Sequence, residues 1–116
     1  MRDGLAAGLS EVVADPARVL TAPGVVHRLS HDFYWYSPVL RPMLAGKTGD
    51  VAVQAASMDE VLAIFRFAGK HEVPVTVRGA GTGNYGQCVP LQGGIVLDLS
   101  LMDKLEAITQ DGVAIC

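Results

Sequence analysis

The chain has 116 residues, with nine Lys and Arg against twelve Asp and Glu and a formal net charge of −3. That length allows one small domain or half of a larger one, and it is short for an enzyme that must hold both a cofactor and a substrate. Half of the residues are hydrophobic and 18% are charged, with no Lys/Arg cluster and an isoelectric point near 5.4, which argues against disorder and excludes a basic nucleic-acid footprint.

In chain order, Leu5, Leu9, Val12 and Val13 recur at helical spacing up to Asp15-Pro16 and predict an N-terminal helix of about ten residues. Asp3 and Glu11 interrupt any apolar leader, and no apolar run approaches the roughly 20 residues of a membrane span. The expectation is a cytoplasmic chain without a transmembrane segment. Pro16 to Leu20 reads as one further turn. Residues 21–48, with three prolines and the cluster Phe33-Tyr34-Trp35-Tyr36, fit no single period and read as an irregular approach segment whose aromatics are packing anchors.

Asp50 to Ala55 alternates and reads as a strand. Ser57-Met58-Asp59-Glu60 fits a capping box, in which the Ser57 hydroxyl accepts from the Glu60 N–H and the Glu60 side chain reaches back. Val61, Leu62, Phe65 and Ala68 supply the apolar stripe of a helix ending between Gly69 and His71. Val73 to Val77 is the next strand, so the unit is β-α-β, parallel and right-handed if it lies in one sheet. Gly94 to Leu99 is a third strand, Met102 to Ile108 a turn or connector, and Gly112 to Cys116 a strand that is cut off. Cys88 and Cys116 have no metal-ligand spacing, nor do His27, His31 and His71, and Asp98 is placed to brace Ser100-Leu101-Met102. Neither a catalytic residue nor a metal ligand is assigned.

The chemistry-bearing segment is Arg78-Gly79-Ala80-Gly81-Thr82-Gly83-Asn84-Tyr85-Gly86, directly behind the second strand. Glycines leaving a strand expose backbone N–H groups without side chains in the way, a concavity suited to phosphate or pyrophosphate, although Gly79, Gly81 and Gly83 taken alone serve a simple turn as well. Gly81 to Gly86 satisfies G-x-G-x-x-G. Its continuation Gln87-Cys88-Val89-Pro90-Leu91-Gln92-Gly93-Gly94 leaves no room for the helix that a Rossmann site requires, and Asp98 comes too early for the ribose acid. No Gly-Lys-Ser/Thr ends the loop, which excludes a phosphate-loop NTPase. Arg78 is suited either to contact phosphate or to pin the loop through carbonyls or a carboxylate.

The ordered set of capping-box helix, Val-Pro-Val-Thr-Val strand, Arg-Gly-Ala-Gly-Thr, glutamine-bearing turn and Gly-Gly-Ile-Val-Leu-Asp-Leu-Ser resembles the flavoprotein family of para-cresol methylhydroxylase (PCMH), vanillyl-alcohol oxidase and the FAD subunits of glycolate and D-lactate dehydrogenases, from about Gly49 to Cys116. The resemblance implies an α+β fold, the first half of a PCMH-type FAD-binding domain over 49–116, incomplete at its C-terminus and preceded by a helix and approach segment over 1–48. It places Val77, Arg78, Gly79, Ala80, Gly81 and Thr82 at the FAD pyrophosphate, extended by Gly83 and Asn84, with Gln87 near the cofactor. Thr82 stands where some members carry the histidine that bonds the flavin, so the implied FAD is non-covalent. The implied function is the FAD-binding portion of a flavin-dependent oxidoreductase that oxidises a 2-hydroxy acid such as lactate or glycolate, with the other half of the FAD domain and a cap domain as partners in cis or in trans. The alternative is a truncated or stand-alone nucleotide-binding module without activity of its own.

Overall fold

The computed structural model describes residues 2–33 and 36–116. Helix α1 (Arg2–Val12) is followed by a 3-10 turn (Pro16–Arg18), strand β1 (Val19–Leu20), α2 (Pro23–Leu29), α3 (Leu40–Leu44), β2 (Val51–Gln54), α4 (Met58–Lys70), β3 (Val75–Arg78), β4 (Ile95–Asp98) and a hairpin of β5 (Ala107–Ile108) and β6 (Ala114–Ile115). The main sheet has the order β1-β2-β4-β3, with β1 antiparallel and the other three parallel. The expected β-α-β unit is present, but β2 and β3 are not neighbours: β4 lies between them, so α4 crosses over it.

β4 takes the middle because its three apolar residues suit burial on both faces, and Ile95, Val96 and Leu97 are all fully buried. One face of the sheet offers Val51, Val53, Ile95 and Leu97 to Leu5, Leu9 and Val13 of the α1 segment and Ile64 and Ala68 of α4. The other offers Ala52 and Val96 to Val26 of α2. A sheet between two helical layers results, and a satellite cluster of Tyr36, Leu44 and Val89 lies beside it.

Several local expectations change. Val19 and Leu20 pair with Val53 and Ala52 rather than continuing a turn. The approach segment holds two short helices, α2 and α3, each too short for a periodic signal to emerge. On α4, Leu62 and Phe65 are about half exposed, and the inward stripe is Val61, Ile64 and Ala68. Ser57 Oγ accepts from the Glu60 N–H at 3.3 Å as expected, but the Glu60 carboxylate accepts from Ala56 N, Ala14 N and Arg18 instead of closing the box. Phe33 is exposed rather than an anchor, Tyr36 is buried, and Tyr34 and Trp35 lie outside the described residues. Residues 107–108, expected in a connector, pair with 114–115. No helix among the described residues is long and apolar enough to cross a membrane.

Candidate functional site

The register of the parallel strands sets Gln54, Asp98 and Arg78 side by side at their carboxyl ends, the edge where open α/β sheets bind ligands. Asp98 is buried, accepting from Gln54 Nε2 and from Ser100 N, both at 3.0 Å, so it braces the chain after β4 as its position suggests. Arg78 turns toward α2. Its Nη1 donates to Leu29 O at 2.6 Å and His31 O at 3.0 Å, placing a cation on carbonyls at the helix C-terminus. Of the two roles open to Arg78, pinning through carbonyls is the one its geometry displays.

From Arg78 the chain enters the glycine loop. The backbone N–H groups of Gly79, Ala80, Gly81, Thr82, Gly83 and Asn84 have no acceptor among the described residues. Gly79, Ala80, Thr82 and Asn84 are exposed. Gly83 is half-buried and Gly81 buried, so the run presents unpaired donors chiefly at its four exposed residues, which fits a diphosphate, a group that needs several N–H donors and no cation of its own. Gly81 has φ +72°, and a Cβ there would run into the Arg78 guanidinium, so only glycine permits both the turn and the arginine beneath it. Val77 is partly exposed on the strand leading in, and the Thr82 side chain offers a hydroxyl beside the free amides.

The far end of the loop is held internally. Gln87 Oε1 accepts from Tyr85 N at 3.0 Å, and a Cβ on Gly83 would lie 2.6 Å from that oxygen. Gln87, expected near the cofactor, braces the loop through this bond. Asp32 was not singled out by sequence, because an acid in an aperiodic stretch carries no spacing signal. Its Oδ2 accepts from Gly86 N at 3.1 Å and its Oδ1 from Tyr36 Oη at 2.6 Å. Phe33 N donates to Gly81 O at 3.1 Å. Burial, then the bond to Asp32, pushes the Tyr36 phenol up to about 12.

Between the last turn of α2 and Arg78 lies a cavity of about 570 Å³ whose lining includes His27, Arg28, His31, Asp32 and Arg78. Cys88 is buried behind the loop and burial pushes its thiol up, with the Arg78 charge opposing, which suits a packing residue rather than a nucleophile. No helix starts near Gly86, so the dinucleotide arrangement of a helix-borne pyrophosphate is absent from this loop.

Residues 49–116 match the family model described as FAD binding domain. A D-lactate dehydrogenase of Archaeoglobus fulgidus is 40% identical over 77 residues, covering 65% of this chain and 17% of that protein. An uncharacterized FAD-linked oxidoreductase of Mycobacterium tuberculosis is 32% identical over 112 residues, covering 96% of this chain and 23% of its own length. The structure of p-cresol methylhydroxylase with substrate bound superposes with a TM-score of 0.70 at 20% identity, covering 92% of this chain and 20% of that one, a likeness of fold. The chain spans about a fifth of the length of the relatives it matches.

Proposed function

This chain belongs to the FAD binding domain family of FAD-linked oxidoreductases, and on that premise we propose that its glycine loop, residues 77–84 with Gln87, is the diphosphate-holding half of a non-covalent FAD site. The observation that carries the reading is the run of six unpaired N–H donors from Gly79 to Asn84 at the carboxyl end of the parallel sheet. Thr82 adds a hydroxyl donor and has no nitrogen or sulfur with which to bond the flavin. When bound, FAD supplies the acceptor for a hydride from the substrate carbon. In this reading the residues of the loop bind and orient the diphosphate.

The substrate class we infer is a carbon bearing a hydroxyl group, within it a 2-hydroxy acid such as lactate or glycolate, supported by the relative named as a D-lactate dehydrogenase. The second half of the cofactor site and the substrate face belong, in this reading, to a further domain in cis or in trans. Residues 49–116 are the first subdomain in this reading, and residues 1–48 are the N-terminal helix and approach segment that precede it.

Titration of FAD fluorescence with the purified chain tests the reading. Quenching that inorganic pyrophosphate reverses is the expected result. Binding that pyrophosphate leaves untouched would move the site away from the loop, and dye reduction with lactate or glycolate by these 116 residues alone would overturn the half-site account.

A further inference from the structure

The residues that match the family begin at position 49, yet a stretch before that match, residues 29–33 with Tyr36 behind it, is bonded to the glycine loop. This stretch meets the loop at three points. Arg78, at its entrance, donates to the carbonyls of Leu29 and His31. Gly81, at its middle, accepts from Phe33 N, and Gly86, at its exit, donates to Asp32 Oδ2. Only the last contact uses a side chain of the stretch, and that side chain is itself aimed by the 2.6 Å bond from Tyr36 Oη.

We propose that Asp32 is a positioning residue for the diphosphate loop, setting the curvature of residues 79–86 by holding the Gly86 amide, with Tyr36 orienting its carboxylate. This rests on the reading of the loop as the FAD site. A loop with six amides unpaired has few bonds to hold it in one curvature, Tyr85 N to Gln87 Oε1 and Phe33 N to Gly81 O among them, so the fixing of its entrance and exit matters. At the entrance a strand and an arginine fix it. At the exit Gly86, at φ +78°, packs so that a Cβ would lie 2.8 Å from Leu44 Cδ1, and Asp32 is the acceptor that holds its amide.

Asp32→Asn keeps the size of the side chain and one carbonyl acceptor, so it must forfeit either the Tyr36 hydroxyl bond as now arranged or the Gly86 amide bond. Site-resolved amide hydrogen exchange on the chain without FAD is the measurement. The expected result is exchange faster by about tenfold at Gly86 and raised at the neighbouring bonded amide of Tyr85, with the amides of β2 and β4 unchanged. Tyr36→Phe is expected to raise Gly86 exchange severalfold through the loosened carboxylate. A folded Asp32→Asn chain with unaltered loop exchange overturns the proposal. So does acceleration spread evenly over the whole chain, or failure of both variants to fold, since either makes Asp32 a general support of the fold. Adding FAD to the wild-type chain separates the two ideas. Protection of Gly79 to Asn84 by FAD supports the cofactor reading, whereas its absence beside a loosened Asp32→Asn loop leaves the positioning role standing and removes the cofactor.

Discussion

Arg18 and Glu60 meet in a two-pronged ion pair, with Nη1 to Oε2 and Nη2 to Oε1 both at 2.6 Å, joining the 3-10 turn before β1 to the first turn of α4 across 42 residues. The same arginine donates to Gln54 O at 2.9 Å, so one side chain ties the turn, the end of β2 and the start of α4. The bond from Arg18, helped by the N–H groups of Ala56 and Ala14 and opposed by burial, lowers the Glu60 carboxyl from 4.5 to about 2.

Because that folded value lies below the unfolded one, the stabilisation is complete above pH 4.5 and is lost as pH falls toward 2. Glu60→Gln is expected to cost roughly 1–3 kcal/mol at pH 7, the range reflecting partial solvent screening of the pair. Urea unfolding at pH 7 and pH 3 checks it: the gap between wild type and variant should be smaller at the lower pH.

Gly94 has φ +77°, and a Cβ there would collide with the carbonyl oxygen of Pro74, the acceptor of the Ile95 amide. Neither the positive φ nor a backbone oxygen can yield cheaply. Gly94→Ala is expected to destabilise the chain by about 2–4 kcal/mol, read as a lowered urea midpoint, while Gly79→Ala, where a Cβ meets open space, stays within about 1 kcal/mol of wild type.

Gly81→Val brings both a disfavoured φ and a clash with the Arg78 guanidinium into the loop. We expect pyrophosphate-reversible FAD quenching to fall at least about tenfold, since the amides beside it would be displaced. Retention of wild-type quenching would remove the loop from the site.

Tyr36 ionises late, near pH 12, through burial first and the Asp32 bond second. Its raised value means that the stabilisation it brings is intact below pH 10 and is lost as pH rises through 12. Ultraviolet titration of tyrosinate should show a late phenol in the wild type that Tyr36→Phe removes. A Tyr36→Phe chain whose late transition persists would refute the assignment.

Much of the fold was legible because it rests on local rules. Ser57 caps α4 through a hydroxyl three residues from its donor, the apolar run at Ile95 predicts a buried strand, and the glycines after Val77 predict exposed backbone. The missed parts were short or long-range. Five- and seven-residue helices barely complete a period, and Leu62 and Phe65 share helical spacing with Val61 and Ala68, so hydrophobicity alone could not say which side faces the sheet. The candidate loop was legible, but the groups that hold it were not. Leu29 and His31 act through carbonyls, which every residue carries, and Asp32 lies 54 positions from the amide it accepts from.

The sequence by itself determined the elements from β2 to β4 and the bare backbone of the glycine loop, because turn chemistry, capping and strand propensity act within a few residues. The tertiary structure alone decided that β4 separates β2 from β3, that Arg78 turns to the end of α2, and that Glu60 pairs with Arg18 rather than closing its own cap. Those outcomes follow from which strand is best buried on both faces and which charges find partners once the layers close, and such competition is resolved only when distant segments meet.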